Sequence, residues 1–182
     1  MAHRFPWYEL VDGEELQQGD IFRGFPILRP SITPDLLEAF LNGLDIETPV
    51  EVLTGDVVLL TQSCDLANDK VDTVILCTVW DLAEYENSLG SSPKEIAKRK
   101  ELIRQGKEPS LHMLAASENP AVQLSLVEFK RIYTAPKDIL TQFAISCGSR
   151  VRLLPPYREH LSQAFARYFM RVGLPSDIPR FK

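Results

Sequence analysis

The sequence predicts an α+β fold: a small, strongly bent antiparallel β-sheet or barrel of five to seven strands, with about three peripheral helices, one of them a C-terminal amphipathic helix. Three observations carry that expectation. Short segments rich in β-branched and aromatic residues recur along the chain, as in VVLL (57–60), VILCTVW (74–80) and LVEF (126–129). The clearest helix signals fall between these segments or after the last of them. The chain of 182 residues, 45% hydrophobic and 25% charged, has the composition of a soluble globular domain with one substantial core. A single domain over 1–182 is expected, with helical insertions at about 33–43 and 92–105 and a final helix at about 157–172.

Taken in order, QQGDIF (17–22) reads as a first strand entered through Gly19. FPILRPSITP (25–34) carries three prolines, each without a backbone donor, and is expected to be extended or looped. TPDLLEAFLNG (33–43) has helix punctuation, with Thr33 as N-cap, Pro34 at the first helical position and Gly43 as the stop. VEVL (50–53), DVVLLTQ (56–62) and DTVILCTVW (72–80) read as strands, the last two apolar on both faces as buried strands are. In SSPKEIAKRKELIRQG (91–106), Ser92 and Glu95 form a capping box around Pro93, and the charged middle suits a surface helix. Residues 121–135 read as one long bent strand, PKDILTQF as a single helical turn, and VRLL (151–154) as a short strand stopped by Pro155-Pro156. The last helix has Tyr157, Leu161, Phe165, Tyr168 and Phe169 as an apolar stripe and stops at Gly173 and Pro175.

The formal net charge of −5 conceals an asymmetry. Residues 1–92 hold 4 basic and 17 acidic side chains, a balance of −13, whereas residues 93–182 balance at +8. Such halves either fold against each other or leave a basic surface for nucleic acid or an acidic partner. No apolar run is long enough to span a bilayer, and MAHRFPWYEL lacks the features of a signal peptide, so a cytoplasmic location without membrane contact is expected. Three cysteines at unpatterned spacing, with no CxxC and no HExxH, fit a reducing compartment and argue against a zinc site. Neither a metal nor another cofactor is expected.

GDIF (19–22), DVVLLTQSCDLAND (56–69), VILCTVW (74–80) and LSLVEFKRIYTAPKDIL (124–140) together resemble the MazF/PemK family, small SH3-like β-barrel ribonuclease toxins of bacterial toxin–antitoxin systems. The resemblance covers about half of the chain. It implies the barrel, with Thr78 near a scissile phosphate. The family's catalytic Arg-Pro, just before the second strand, is replaced here by Gly55-Asp56. What is implied is a bacterial binding or effector protein that takes RNA, DNA or a protein partner through its basic second half.

The residue types offer three sets of candidates. Cys64, in TQSCDL, ends a hydrophobic strand; as a nucleophile it would need a histidine or cation nearby, and Asp65 beside it has the wrong sign. The bland reading, a buried thiol at a strand end, is the expected one. If 56–62 and 72–80 form a hairpin turning near Asn68-Asp69, Cys64 faces about residue 73 and Cys77 faces about residue 60, roughly 13 Å apart, too far to share a metal or a disulfide. Asp65, Asp69 and Asp72 share that loop without the glycine and distal glutamate of a calcium loop. On the last helix His160, Gln163, Arg167 and Arg171 recur at offsets of three, four and four, one face able to hold a phosphate or carboxylate. The competing reading is an ordinary polar face. Three functions stay open: a binding module that uses this face and dimerises or docks through its aromatic helix; a nuclease using Thr78, His160, Arg167 and Arg171; and a thiol hydrolase built on Cys64.

Overall fold

A seven-stranded antiparallel sheet forms the centre of the structure, a computed structural model that describes residues 5–170. The strands are β1 (Tyr8–Val11), β2 (Asp20–Pro30), β3 (Val50–Leu59), β4 (Thr73–Asp81), β5 (Leu111–Leu114), β6 (Ser125–Pro136) and β7 (Arg150–Leu153). They lie in the order β1-β7-β2-β3-β4-β6-β5. The helices are α1 (Pro34–Leu41), α2 (Ser63–Ala67), α3 (Leu82–Ser88), α4 (Pro93–Arg104), α5 (Lys137–Ser146) and α6 (Tyr157–Phe169). The α+β class and the antiparallel sheet are as expected. The sheet is open, with β1 and β5 as its two edges, and the helices among the described residues number six rather than about three.

Alternation along the central strands gives each face its own core. Val58, Leu60, Cys77, Val79, Val127 and Phe129 face α6, whose Leu161 is fully buried against them. Val57, Leu59, Val74 and Leu76 face the other way, onto Leu140 and Ala144 of α5 and Leu66 of α2. A third cluster beneath α3 and α4 joins Leu82, Tyr85 and Ile103 to Leu111 and Leu126. Each fully buried large side chain here contributes about 1.5–3 kcal/mol by leaving water. Register breaks between Phe22 and Phe25 on β2, and between Cys77 and Thr78 against β6, bend the sheet as bulges do.

Gly19 opens β2 at φ +91°, and a Cβ there would stand 3.0 Å from the Cβ of Leu153. Both a left-handed backbone and the close approach of β7 therefore require glycine. Directly after it, the fully buried Asp20 carboxylate accepts from Arg150 Nε at 2.9 Å and from Arg152 Nη2 at 3.0 Å. Arg150 also donates to the carbonyl of Gly13 (2.8 Å), and Arg152 to that of Glu15 (2.8 Å), so the same guanidinium groups fasten the 13–19 loop. The isolated charge is thus paired and hydrogen-bonded, the condition under which a buried carboxylate is tolerated.

FPILRP, expected to be extended or looped, is extended as the continuation of β2; beyond Phe25 only β3 pairs with this strand, so its prolines sit where no second partner needs their donors. Other sequence expectations need correction. Cys64 is exposed and lies in the first turn of α2, not buried at the end of a strand. Thr61 sets this up: its Oγ1 accepts the amide of Ile75 at 2.8 Å, closing the strand before the chain turns into the helix. The hairpin register puts Cys77 opposite Val58 rather than residue 60, a slip of two that keeps every side chain on its expected face.

Candidate functional site

The polar face of α6 borders a cleft of about 500 Å³ between that helix, β5 and the connection from α4. His160, Gln163 and Arg167 line one wall, and His112 of β5 lines the other. The spacing seen in the sequence produces the first wall, because offsets of three and four keep side chains on one side of a helix. Topology produces the second. His112 pairs across the sheet with Val127, on the face that α6 covers, and its ring lies 6.4 Å from that of Phe129. The apolar stripe of α6 holds the helix in place, with Phe165 packing edge-on against Phe129 at 5.5 Å. At the opposite end of the helix, Tyr157 stacks on Trp7 at 3.7 Å.

Burial, and secondarily repulsion from His160, pushes the His112 imidazole down to about 4. His112 is therefore neutral at physiological pH and offers one donor and one acceptor. Arg167 is exposed and forms no salt bridge among the described residues, while Arg104 at the rim is held by Glu101 at 2.6 and 2.7 Å. The cleft thus presents a guanidinium without a salt bridge among the described residues, an exposed imidazole, an amide and a neutral imidazole, with the Glu108 carboxylate also on its lining. That set suits an anionic oxygen cluster such as a phosphate. Arg171 lies outside the described residues.

Cys64 belongs to a neighbouring cleft of about 350 Å³, with Gln62, Ser63, Arg158, Ser162 and Gln163. Gln62 Nε2 donates to Ser162 Oγ at 3.2 Å, tying α2 to α6, and Gln163 lines both clefts. The thiol donates weakly to Asp65 Oδ1 at 3.8 Å, and no histidine among the described residues lines its cleft. Among those residues the Cys–His pair that hydrolysis requires is not assembled. Asp65 stands 3.9 Å from Lys70 Nζ, and Asp69 is paired with Lys137, whose ammonium lowers the Asp69 carboxyl by hydrogen bonding and then by its charge. Lys137 also donates to the carbonyl of Leu66 at 2.7 Å, so the ammonium bordering the wide hollow beside this turn is already engaged.

Thr78 follows Leu76 and precedes Trp80 on the face of β4 away from α6, so it shares no site with His160. It lines a groove of about 470 Å³ together with Arg23, Asp56, Arg131 and Tyr133. Its Oγ1 is buried and without a partner among the described residues. Arg131 leans over the Trp80 ring at 5.1 Å and meets Glu128 at 3.1 Å.

Two features of this arrangement carry little local signal. Nothing near His112 distinguishes it; only the pairing of β5 with β6 brings it under α6. The Asp20–Arg150–Arg152 cluster had one clue, the arginines of RVRL two residues apart and hence on one side of a strand. No protein-family model matches the chain, and no curated protein matches it either.

Proposed function

We propose that the protein binds a phosphate-bearing ligand, single-stranded RNA or DNA, in the cleft between α6 and β5. The observation that carries this reading is the convergence of His160, Gln163 and Arg167, which forms no salt bridge among the described residues, with His112 around one opening. The distribution of charge supports it. Seven of the thirteen described cations of the basic second half are engaged in salt bridges: Lys100 with Glu86, Arg104 with Glu101, Arg131 with Glu128, Lys137 with Asp69, Arg158 with Glu159, and Arg150 and Arg152 with Asp20. Arg167 is among the six that are not, and of those six it is the one that lines this cleft. In this reading the chain is a cytoplasmic bacterial protein with a MazF/PemK-like sheet, acting by binding rather than by cleavage.

The ribonuclease alternative is favoured by one observation, the unpartnered hydroxyl of Thr78 in a groove that also holds Arg23 and Arg131. One experiment addresses both. A fluorescent 12-nucleotide RNA is titrated with protein at low and moderate salt, and the same mixtures are run on a denaturing gel. Binding is expected to weaken with salt, and Arg167→Ala to weaken it about tenfold, the loss of one charge-assisted hydrogen bond. Undiminished affinity in Arg167→Ala would refute the cleft as the site. Cleavage abolished by Thr78→Val would replace binding with nuclease action.

A further inference from the structure

Beyond the bulge at Phe25, β2 and the first half of β3 leave the sheet as a two-stranded arm: residues 25–30 pair only with 50–55, and α1 follows at its tip. The register sets Leu28 opposite Val52 and Pro30 opposite Val50, so these four share one side of the ribbon. Leu28 is 66% exposed and Val52 61%, while the Arg29–Glu51 ion pair occupies the reverse side. The helix repeats the pattern. α1 buries none of its residues, and Leu37, Phe40 and Leu41 fall at the spacing of one helical stripe with all three exposed. Six of the seventeen large exposed hydrophobic side chains lie on these two faces. At about 100 Å² of apolar surface each, they present roughly 600 Å², the upper end of the largest patch on a typical monomer and about what each partner contributes to the smallest standard interfaces.

We propose that this arm is a homodimerisation element, its apolar ribbon face and α1 stripe covered by the arm of a second copy. The area reaches the low end of what a stable two-fold contact needs, and a surface used by both copies is self-complementary when related by a dyad. Charge restricts the alternatives. Between residues 30 and 56 there are six acidic side chains and no basic one, which disfavours an anionic membrane or a nucleic acid as occupant. At 100° per residue Asp35 lies opposite the α1 stripe, and Glu51 is on the reverse side of the ribbon, so the acids border the contact instead of entering it.

The test is sedimentation velocity of the full chain from 1 to 200 µM, at 50 and 500 mM NaCl, beside the double variant Leu28→Lys/Leu41→Lys. Both side chains are solvent-exposed, so the variant is expected to keep its fold, with near-UV circular dichroism as the check. Expected is a monomer–dimer equilibrium that holds or tightens with salt, as repulsion between acidic arms is screened, and a dissociation constant raised at least tenfold in the variant. A monomer at every concentration overturns the proposal. So does a dimer that the double variant retains, which would place the contact elsewhere, or one that salt dissolves, which would mean an ionic rather than an apolar contact.

Discussion

Replacing His112 with glutamine should flatten the acid side of the protein's stability profile. The native imidazole is held down to about 4, first by burial and then by the charge of His160, against an ordinary value of 6.5. A depressed folded value means that the unfolded chain binds the proton more readily. The associated stability is therefore complete above pH 6.5 and is lost as the pH falls toward 4. At 1.36 kcal/mol per pH unit, the full displacement amounts to about 3 kcal/mol, of which about 2 kcal/mol is already lost at pH 5. For a chain of this size that corresponds to a fall in Tm of roughly 4–8 °C between pH 7 and pH 5 from this residue alone. Urea denaturation of the native chain and of His112→Gln at the two pH values isolates the contribution, because every other titrating group is common to both. The glutamine variant should lose about 2 kcal/mol less than the native chain over that interval. Equal losses would refute the placement of His112 in an apolar floor. A bound phosphate should raise the imidazole back toward its ordinary value, joining the pH profile to occupancy of the cleft.

Two further outcomes follow from buried groups. Asp20→Asn leaves Arg150 and Arg152 without their counter-charge in the interior and should cost about 3–5 kcal/mol, read as a lowered denaturation midpoint; an unchanged midpoint would show the cluster to be dispensable. Burial pushes the Cys77 thiol up to about 12, whereas Cys64 and Cys147 are exposed, so iodoacetamide at pH 8 should add two adducts by mass to the native protein and a third only in denaturant. Three adducts without denaturant would contradict the packing of β4.

What the sequence disclosed was whatever is decided locally. The capping box at Ser92 and Glu95 is a matter of four adjacent residues, and both of its hydrogen bonds are present. The bent strand ending in YTAP was legible because its β-branched and aromatic content persists through the bulge. FPILRP could be read only as extended or looped, because proline has the same missing donor in a loop and on a strand edge, and only the pairing partner tells them apart. Cys64 was misplaced because an apolar run does not disclose where its strand ends; a hydroxyl of Thr61 capping a neighbouring amide decides that. Of the candidate site, the α6 wall could be read from helical spacing. Its counterpart His112 could not, since 48 positions separate it from His160 and only the sheet order brings them to one cleft.

The link between Asp20 and Arg150 also has a bearing on how the chain is made. The two are 130 positions apart, so on a ribosome adding about ten residues each second the carboxylate emerges on the order of ten seconds before its first counter-ion. During that interval β2 has β3 as a neighbour but not β7, and β1, which pairs only with β7, has nowhere to dock. Nascent chains that stop short of Arg150 should therefore keep Asp20 in water and the sheet edge unfinished. Completion of the sheet is deferred until nearly the last strand has been synthesised, and an arrested chain of this protein is a natural client for a chaperone that shields strand edges.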